Sequence, residues 1–224
     1  MPLALFDLDH TLLDGDSNAL WLDYLVARDL APAAVLSAQA AHYAAYREER
    51  LDIGVYLDFQ LSVLAGRSLE AWQPVRAAFV QQVLAPRIAD AGLAAVARHR
   101  RQGHRLAIVT ATHGFLAEAV GAHLHLPVVA PRVRVDADGW RIEGPLCFRD
   151  GKLDCLARWL ECPRLGEEEL AASHFYSDSA NDLALLEAVG HPVAVNADPR
   201  LAAVARARGW PRLEWRQPGA IRVS

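Results

Sequence analysis

From Ser17 to Leu84 the pattern is helical and Ala-rich with no strand-forming run, whereas after Pro86 helix and strand patterns alternate. This change of texture restricts the fold more than any other feature of the chain. In the first stretch Leu69, Trp72, Val75, Phe79, Val80 and Val83 recur three or four apart, as do Leu20, Trp21, Tyr24 and Leu25, and Ile53, Tyr56, Leu57 and Leu64. Each set makes one apolar helix face, and Pro32 and Gly66 punctuate the helices between them. A small helical bundle is expected, bounded near Asp16 and near Pro86. Beyond it the pattern predicts a helix through Leu93 and Val96, a strand over 104–110, a strand over 128–130, and a hairpin of Val133-Arg134-Val135 and Trp140-Arg141-Ile142 turning at Asp138-Gly139. A helix from Lys152 through Leu156 and Trp159, strands at 174–176 and 192–195, and a helix from Pro199 follow. Such alternation predicts an α/β fold, a Rossmann-like doubly wound parallel sheet with helices on both faces. The expected division is a core of residues 1–15 and 86–224, an inserted all-helical cap of 16–85, and a small β-hairpin flap.

Bulk properties remove several function classes. At 224 residues the chain can hold one large core or a core plus a smaller insert. A net charge of -4, with Lys and Arg scattered singly, supplies no basic stripe, so a nucleic-acid partner is not expected. Cys147, Cys155 and Cys162 are odd in number and lack the paired spacing of a zinc site, which implies reduced thiols. The N-terminal apolar run is broken by Asp7 and has no basic leader, and no apolar segment is long enough for a bilayer. A cytoplasmic chain without a membrane partner is the expectation; oligomeric state is not legible.

The chemistry begins where Leu3-Ala4-Leu5-Phe6 runs into Asp7-Leu8-Asp9-His10-Thr11. Carboxylates two residues apart point the same way from an extended chain, and burying them calls for a metal or a cation. By itself this pentapeptide fits a capped loop facing water better than a site. Three further signals follow in order: Ile108-Val109-Thr110-Ala111-Thr112, Gly151-Lys152, and Tyr176-Ser177-Asp178-Ser179-Ala180-Asn181-Asp182. All fall at strand exits or nearby, where open parallel sheets place their ligand crevice. As a set they resemble the haloacid dehalogenase-like hydrolases, over the span from Asp7 to Asp182. The opening motif and the acidic loop look most like the phosphoserine phosphatase-like branch, which also holds histidinol-phosphate phosphatases.

The resemblance implies a phosphomonoesterase acting on a small phosphorylated metabolite, with these roles. Asp7 is the nucleophile, forming an aspartyl-phosphate, and Asp9 protonates the leaving oxygen and later activates water. Dehalogenases of the family lack the second Asp, so Asp9 points to phosphoryl transfer. Thr110, with Ala111, holds the phosphate through a hydroxyl and a free backbone N–H, and Lys152 offsets charge. Mg2+ is the expected cofactor because its ligands would be oxygens, from Asp7, the Asp9 carbonyl and Asp178, and no cysteine or histidine cluster competes. Asp182 is expected to hold a metal-bound water or orient Lys152, Asn181 to donate an amide hydrogen bond near the phosphate or to shape its loop, Thr11 to support the first loop, and Thr112 reads as a cap of the next helix. Many relatives have Gly where this chain has Ser177. For the leaving group, Asp16 is a candidate amine reader, and Arg47 and Arg50 are candidate carboxylate readers that equally suit a solvated helix face. Phosphoserine would use the arginines, whereas histidinol phosphate would suit Asp16 with Trp21, Tyr24, Tyr43 and Tyr46. A phosphomutase or other phosphotransferase, and a non-catalytic phospho-accepting binding module, are the rival readings.

Overall fold

The computed structural model describes residues 1–137, 139–162 and 166–216. The Asp138 half of the predicted turn and the 217–224 end of the expected core lie outside them. The chain runs through β1 (Leu3–Phe6), then the helices α1 (Ser17–Val26), α2 (Ala34–Arg47), α3 (Ile53–Ser62) and α4 (Leu69–Phe79). After a π-helical turn at Val80–Leu84 come α5 (Asp90–Arg101), β2 (Arg105–Val109), α6 (Gly114–Leu124), β3 (Val128–Val129), β4 (Arg132–Asp136) and β5 (Gly139–Glu143). The remainder is α7 (Gly151–Trp159), α8 (Glu167–Ala171), β6 (His174–Ser177), α9 (Leu183–Ala188), β7 (His191–Val195), α10 (Pro199–Arg208) and β8 (Arg212–Leu213).

Six strands pair in the order β3-β2-β1-β6-β7-β8, all parallel, and β4 and β5 form a separate antiparallel hairpin. The order reverses at β1, whose neighbours β2 and β6 lead away in opposite directions. That makes the carboxyl end of β1 the switch point at which such sheets open a crevice.

Why β1 reads as an unbroken apolar run follows from its place. Leu3 and Leu5 pack on one face with Leu156 of α7, Leu185 of α9 and Leu201 of α10. Ala4 and Phe6 pack on the other with Val96 of α5 and Leu116 of α6. A strand covered on both faces has no solvated side on which to carry polar residues. The aromatic core of the helical insert is continuous with that second face. Trp21 lies 5.9 Å from Trp72, 5.0 Å from Phe79 and 6.0 Å from Phe115 of α6. The two-residue strand β8 is exposed and carries no apolar alternation, so no pattern announces it. Among the described residues no helix is long and apolar enough to cross a membrane.

Candidate active site

Asp7 leaves β1 with its N–H still paired to the Tyr176 carbonyl at 2.9 Å, so the strand ladder holds its backbone at the sheet edge. His10 then adopts a left-handed conformation (φ 58°) and its N–H meets the Gly15 carbonyl at 3.0 Å, which turns the chain toward α1. Asp16 caps that helix, its Oδ1 accepting from Ala19 N at 2.9 Å.

Lys152 supplies the buried cation. Its Nζ lies 2.8 Å from Asp7 Oδ1, 2.7 Å from Asp182 Oδ2 and 3.1 Å from the Val109 carbonyl. All three of the ammonium's donors are thus used. Gly151 makes this reach available, because a Cβ there would stand 2.0 Å from the Leu146 carbonyl oxygen and push the start of α7 away. Ser177, standing where glycine was expected, donates to Asp182 Oδ2 at 2.6 Å and accepts from Ser179 N at 3.1 Å. The hydroxyl therefore fixes the acid that fixes Lys152.

The other acids meet the same cleft. Asp178 accepts from Thr11 Oγ1 at 3.4 Å. Asp9 is held from two sides: Oδ1 accepts from Ser17 N at 2.7 Å, and Oδ2 accepts from Thr112 Oγ1 at 2.6 Å. Thr112 in turn meets Ser17 Oγ and Asn18 Nδ2, each at 3.2 Å. That hydroxyl caps no helix, since α6 begins after His113 and has no side-chain cap. Burial pushes the Asp7 carboxyl up to about 7, with Lys152 opposing and Asp182 adding. Asp178 is raised well above its ordinary value by burial and by Asp7 and Asp182. Burial alone would lower the Lys152 ammonium, but Asp182 and Asp7 turn the net shift upward. Four carboxylates, Asp7, Asp9, Asp178 and Asp182, thus share one cleft, and the buried Lys152 ammonium pairs with two of them, Asp7 and Asp182.

The cleft has a volume of about 560 Å3 and is lined by Asp7, Asp9, Asp16, Thr110, Ala111, Lys152, Asp178, Asn181 and Asp182. Thr110 does not have a free backbone N–H, because it donates to the Val129 carbonyl at 3.0 Å in continuation of the β2–β3 pairing. Its hydroxyl oxygen accepts from Thr112 N at 3.1 Å. Asn181 accepts from Arg149 Nε at 3.1 Å through its side-chain oxygen.

On the insert side the wall is Gln39, His42, Tyr43, Tyr46 and Tyr56. Tyr46 Oη reaches Ser179 Oγ at 3.0 Å, joining α2 to the acidic loop. Arg47 and Arg50 do not line the cleft: both are exposed, and Arg50 pairs with Glu48, as a solvated helix face would have it. Trp21 and Tyr24 are also elsewhere, buried at 0 % and 6 % exposure in the apolar cluster. Asp16 remains on the wall, its carboxyl pushed up to about 6 by burial and by Asp9. Sequence reasoning missed Thr112 as a partner of Asp9, and also Asn196. The Asn196 amide donates to the His10 carbonyl at 2.7 Å and accepts from Trp215 N at 2.7 Å. An Asn closing an apolar run was its one available signal, since Asn is, after Gly, the residue most often found in the left-handed conformation it adopts here (φ 48°).

Comparison with known proteins gives this geometry its lineage. A model of the haloacid dehalogenase-like hydrolases matches residues 4–187. The chain is 33 % identical over 220 residues to a histidinol-phosphatase from Neisseria meningitidis serogroup C (strain 8013), covering 96 % of this chain and 99 % of that one. A crystal structure of a Bordetella pertussis Tohama I protein of unknown function superposes with a TM-score of 0.86 at 34 % identity, over 95 % of this chain and 97 % of that one. A substrate-bound phosphoserine phosphatase shares the fold, with a TM-score of 0.68 at 18 % identity over 96 % of this chain and 94 % of the other. The chain therefore belongs to the haloacid dehalogenase-like hydrolase family and is a phosphatase within it.

Proposed function

We propose that the protein is a magnesium-dependent phosphomonoesterase that works through an aspartyl-phosphate on Asp7 and takes histidinol phosphate, a cationic amino-alcohol ester, as substrate. Residues 1–15 and 86–224 serve as the catalytic core and 16–85 as the cap that reads the leaving group. The observation that carries the substrate choice is the wall opposite Lys152. It offers Asp16 for an ammonium and the rings of His42, Tyr43, Tyr46 and Tyr56 for an imidazole, and no arginine of the insert. Phosphoserine would bring a carboxylate to that acidic, aromatic wall, which carries no arginine or lysine; Arg216, which also lines the cleft, follows β8 and donates to the Asn196 carbonyl at 3.1 Å.

In this reading Asp7 attacks phosphorus, and the Lys152 ammonium against one of its oxygens restrains the carboxylate and offsets charge. Thr110 and Ala111 line the cleft, and the Thr110 hydroxyl and the Ala111 N–H, which no acceptor among the described residues takes, would meet equatorial phosphate oxygens there. Asp9 gives its proton to the departing alcohol oxygen, then takes one from the water that opens the aspartyl-phosphate. The donors at hand for an ion are oxygens of Asp7, Asp178 and the Asp9 carbonyl, in a cluster with more negative than positive charge, which suits Mg2+. When bound, that ion supplies charge neutralisation between nucleophile and phosphate.

The test is release of inorganic phosphate from histidinol phosphate, phosphoserine and a sugar phosphate, with and without magnesium. The expected result is a kcat/KM for histidinol phosphate at least roughly tenfold above the others, all dependent on the ion. Preference for phosphoserine would overturn the substrate, and transfer to a second hydroxyl without free phosphate would make the protein a mutase. Thr112→Val probes Asp9 separately. Losing the hydroxyl that orients this acid is expected to lower kcat about tenfold to a hundredfold with KM little changed, as steady-state rates will read.

A further inference from the structure

Four histidines gather at the end of the sheet opposite the phosphate cleft. His99 lies in the last turn of α5, His104 just before β2, and His174 and His191 are the first residues of β6 and β7. We propose that His99, His104 and His174 form a binding site for a divalent transition ion of the Zn2+ class, distinct from the magnesium site. Sequence reading found no histidine cluster because these residues are spread over the chain and meet only when β2 and β6 flank β1.

The geometry is that of converging ligands. One nitrogen from each of the three rings lies within 4.8 Å of the others. His99 Nδ1 and His104 Nδ1 share a hydrogen bond at 2.9 Å, which an ion would replace once its proton moves to the other ring nitrogen or to solvent, and the His174 ring centroid is 4.6 Å from that of His99 and 5.5 Å from that of His104. A tetrahedral ion holding each nitrogen at its normal bond length needs them about 3.4 Å apart, so ring adjustments on the order of 1 Å complete the set.

Two features prepare the lone pairs. Tyr176 Oη accepts from Arg98 at 2.8 Å and lies 2.9 Å from His99 Nε2. With the Nε2 proton given to that oxygen, the His99 lone pair sits on Nδ1, the atom that faces His104. This is the outer hydrogen bond that orients a metal-binding imidazole. His174 Nδ1 is buried and has no hydrogen-bond partner among the described residues. Burial also holds the His99 and His174 rings down at about 4, which keeps them neutral.

The donor chemistry separates the two ions. The cluster contains imidazole nitrogens and no carboxylate, which suits Zn2+, Ni2+ or Co2+ and rejects Mg2+, whereas the cleft is built of oxygens. His99 is buried while His104 and His174 are half-exposed, so an ion can enter from solvent and water can take the fourth position. The Arg98 guanidinium beside Tyr176 repels a dication, so a micromolar site is expected rather than the far tighter binding of closed structural centres. Bound there, the ion ties α5 and the starts of β2 and β6 together, and its effect falls on stability rather than turnover.

Cobalt titration of chelator-stripped protein tests this, read by visible absorption and by metal analysis. The Asp178→Asn variant serves as the background so that the oxygen site contributes little. The expected result is one equivalent of Co2+ with the intense bands of a four-coordinate nitrogen site, lost in Asp178→Asn carrying His104→Gln and His174→Gln. Zinc should raise the thermal midpoint of the first protein and leave the second unmoved, with circular dichroism confirming that both are folded. His104→Gln alone, at a half-exposed position, serves if the fuller variant does not fold. Absence of cobalt uptake in the Asp178→Asn protein, or equal uptake when the histidines are replaced, would overturn the proposal.

Discussion

Asp7→Asn is expected to lower phosphomonoester turnover by roughly 10,000-fold or more and, in the metal-free protein at neutral pH, to raise the thermal midpoint. The first effect follows from chemistry: an amide in place of the carboxylate cannot form the aspartyl-phosphate, and no other acid of the cleft shares its contact with Lys152 Nζ at the end of β1 except Asp182, which Ser177 holds aside. The second follows from electrostatics. Burial raises the Asp7 carboxyl from 3.8 to about 7, so the folded chain binds a proton that the unfolded chain has released. Stability from this group is complete below about pH 4 and is lost as pH rises toward 7, at a cost on the order of a few kcal/mol. The amide has no such titration. Lys152 still keeps Asp182 and the Val109 carbonyl. Thermal melts at pH 5 and pH 7.5 should therefore show a smaller pH dependence in Asp7→Asn than in the parent. A variant that turned over normally would remove Asp7 as nucleophile, and one that melted lower at pH 7.5 would remove the electrostatic account.

What could be read from the sequence was whatever local periodicity encodes. Leu3 to Phe6 announces a buried strand because both of its faces are covered, and the stripe through Trp72 and Phe79 announces a packed helix because its apolar face is dense. The four acids and Lys152 were legible as a set in order along the chain, and they do meet in one cleft. Contacts made only by folding were not legible. The Thr112 hydroxyl reads as a helix cap until Asp9, 103 residues away, is brought to 2.6 Å. Ser177 looks like a departure from pattern until it is seen donating to Asp182. Direction was lost as well. Arg47 and Tyr46 are neighbours on α2, yet only Tyr46 turns into the cleft, because adjacent residues on a helix point about 100° apart and the sequence does not say which faces the core. Trp21 and Tyr24, offered as substrate aromatics, were claimed instead by the apolar cluster shared between insert and sheet.

Lys152→Met is expected to abolish activity and to destabilise the fold by about 3–5 kcal/mol, lowering the thermal midpoint by roughly 10 °C or more. Lys152 is 2 % exposed, and removing its ammonium leaves Asp7 and Asp182 buried without their shared counter-charge. A methionine fills the volume, so the loss is one of charge rather than packing. The sign of the pH dependence is fixed by the same argument. With Lys152 gone the Asp7 carboxyl, already raised by burial, loses the cation that opposes the rise, so the folded chain holds more protons than the unfolded one and stability must fall as pH rises. The variant should therefore approach the parent at pH 5 and diverge from it at pH 8. Adding Asp182→Asn to Lys152→Met removes one of the stranded charges and should recover part of the lost stability at pH 8 while restoring no turnover. Recovery of both would make Lys152 a purely structural cation. Recovery of neither would mean that the packing of α7 against the Leu146 carbonyl, rather than the buried charge triad, holds this end of the sheet together.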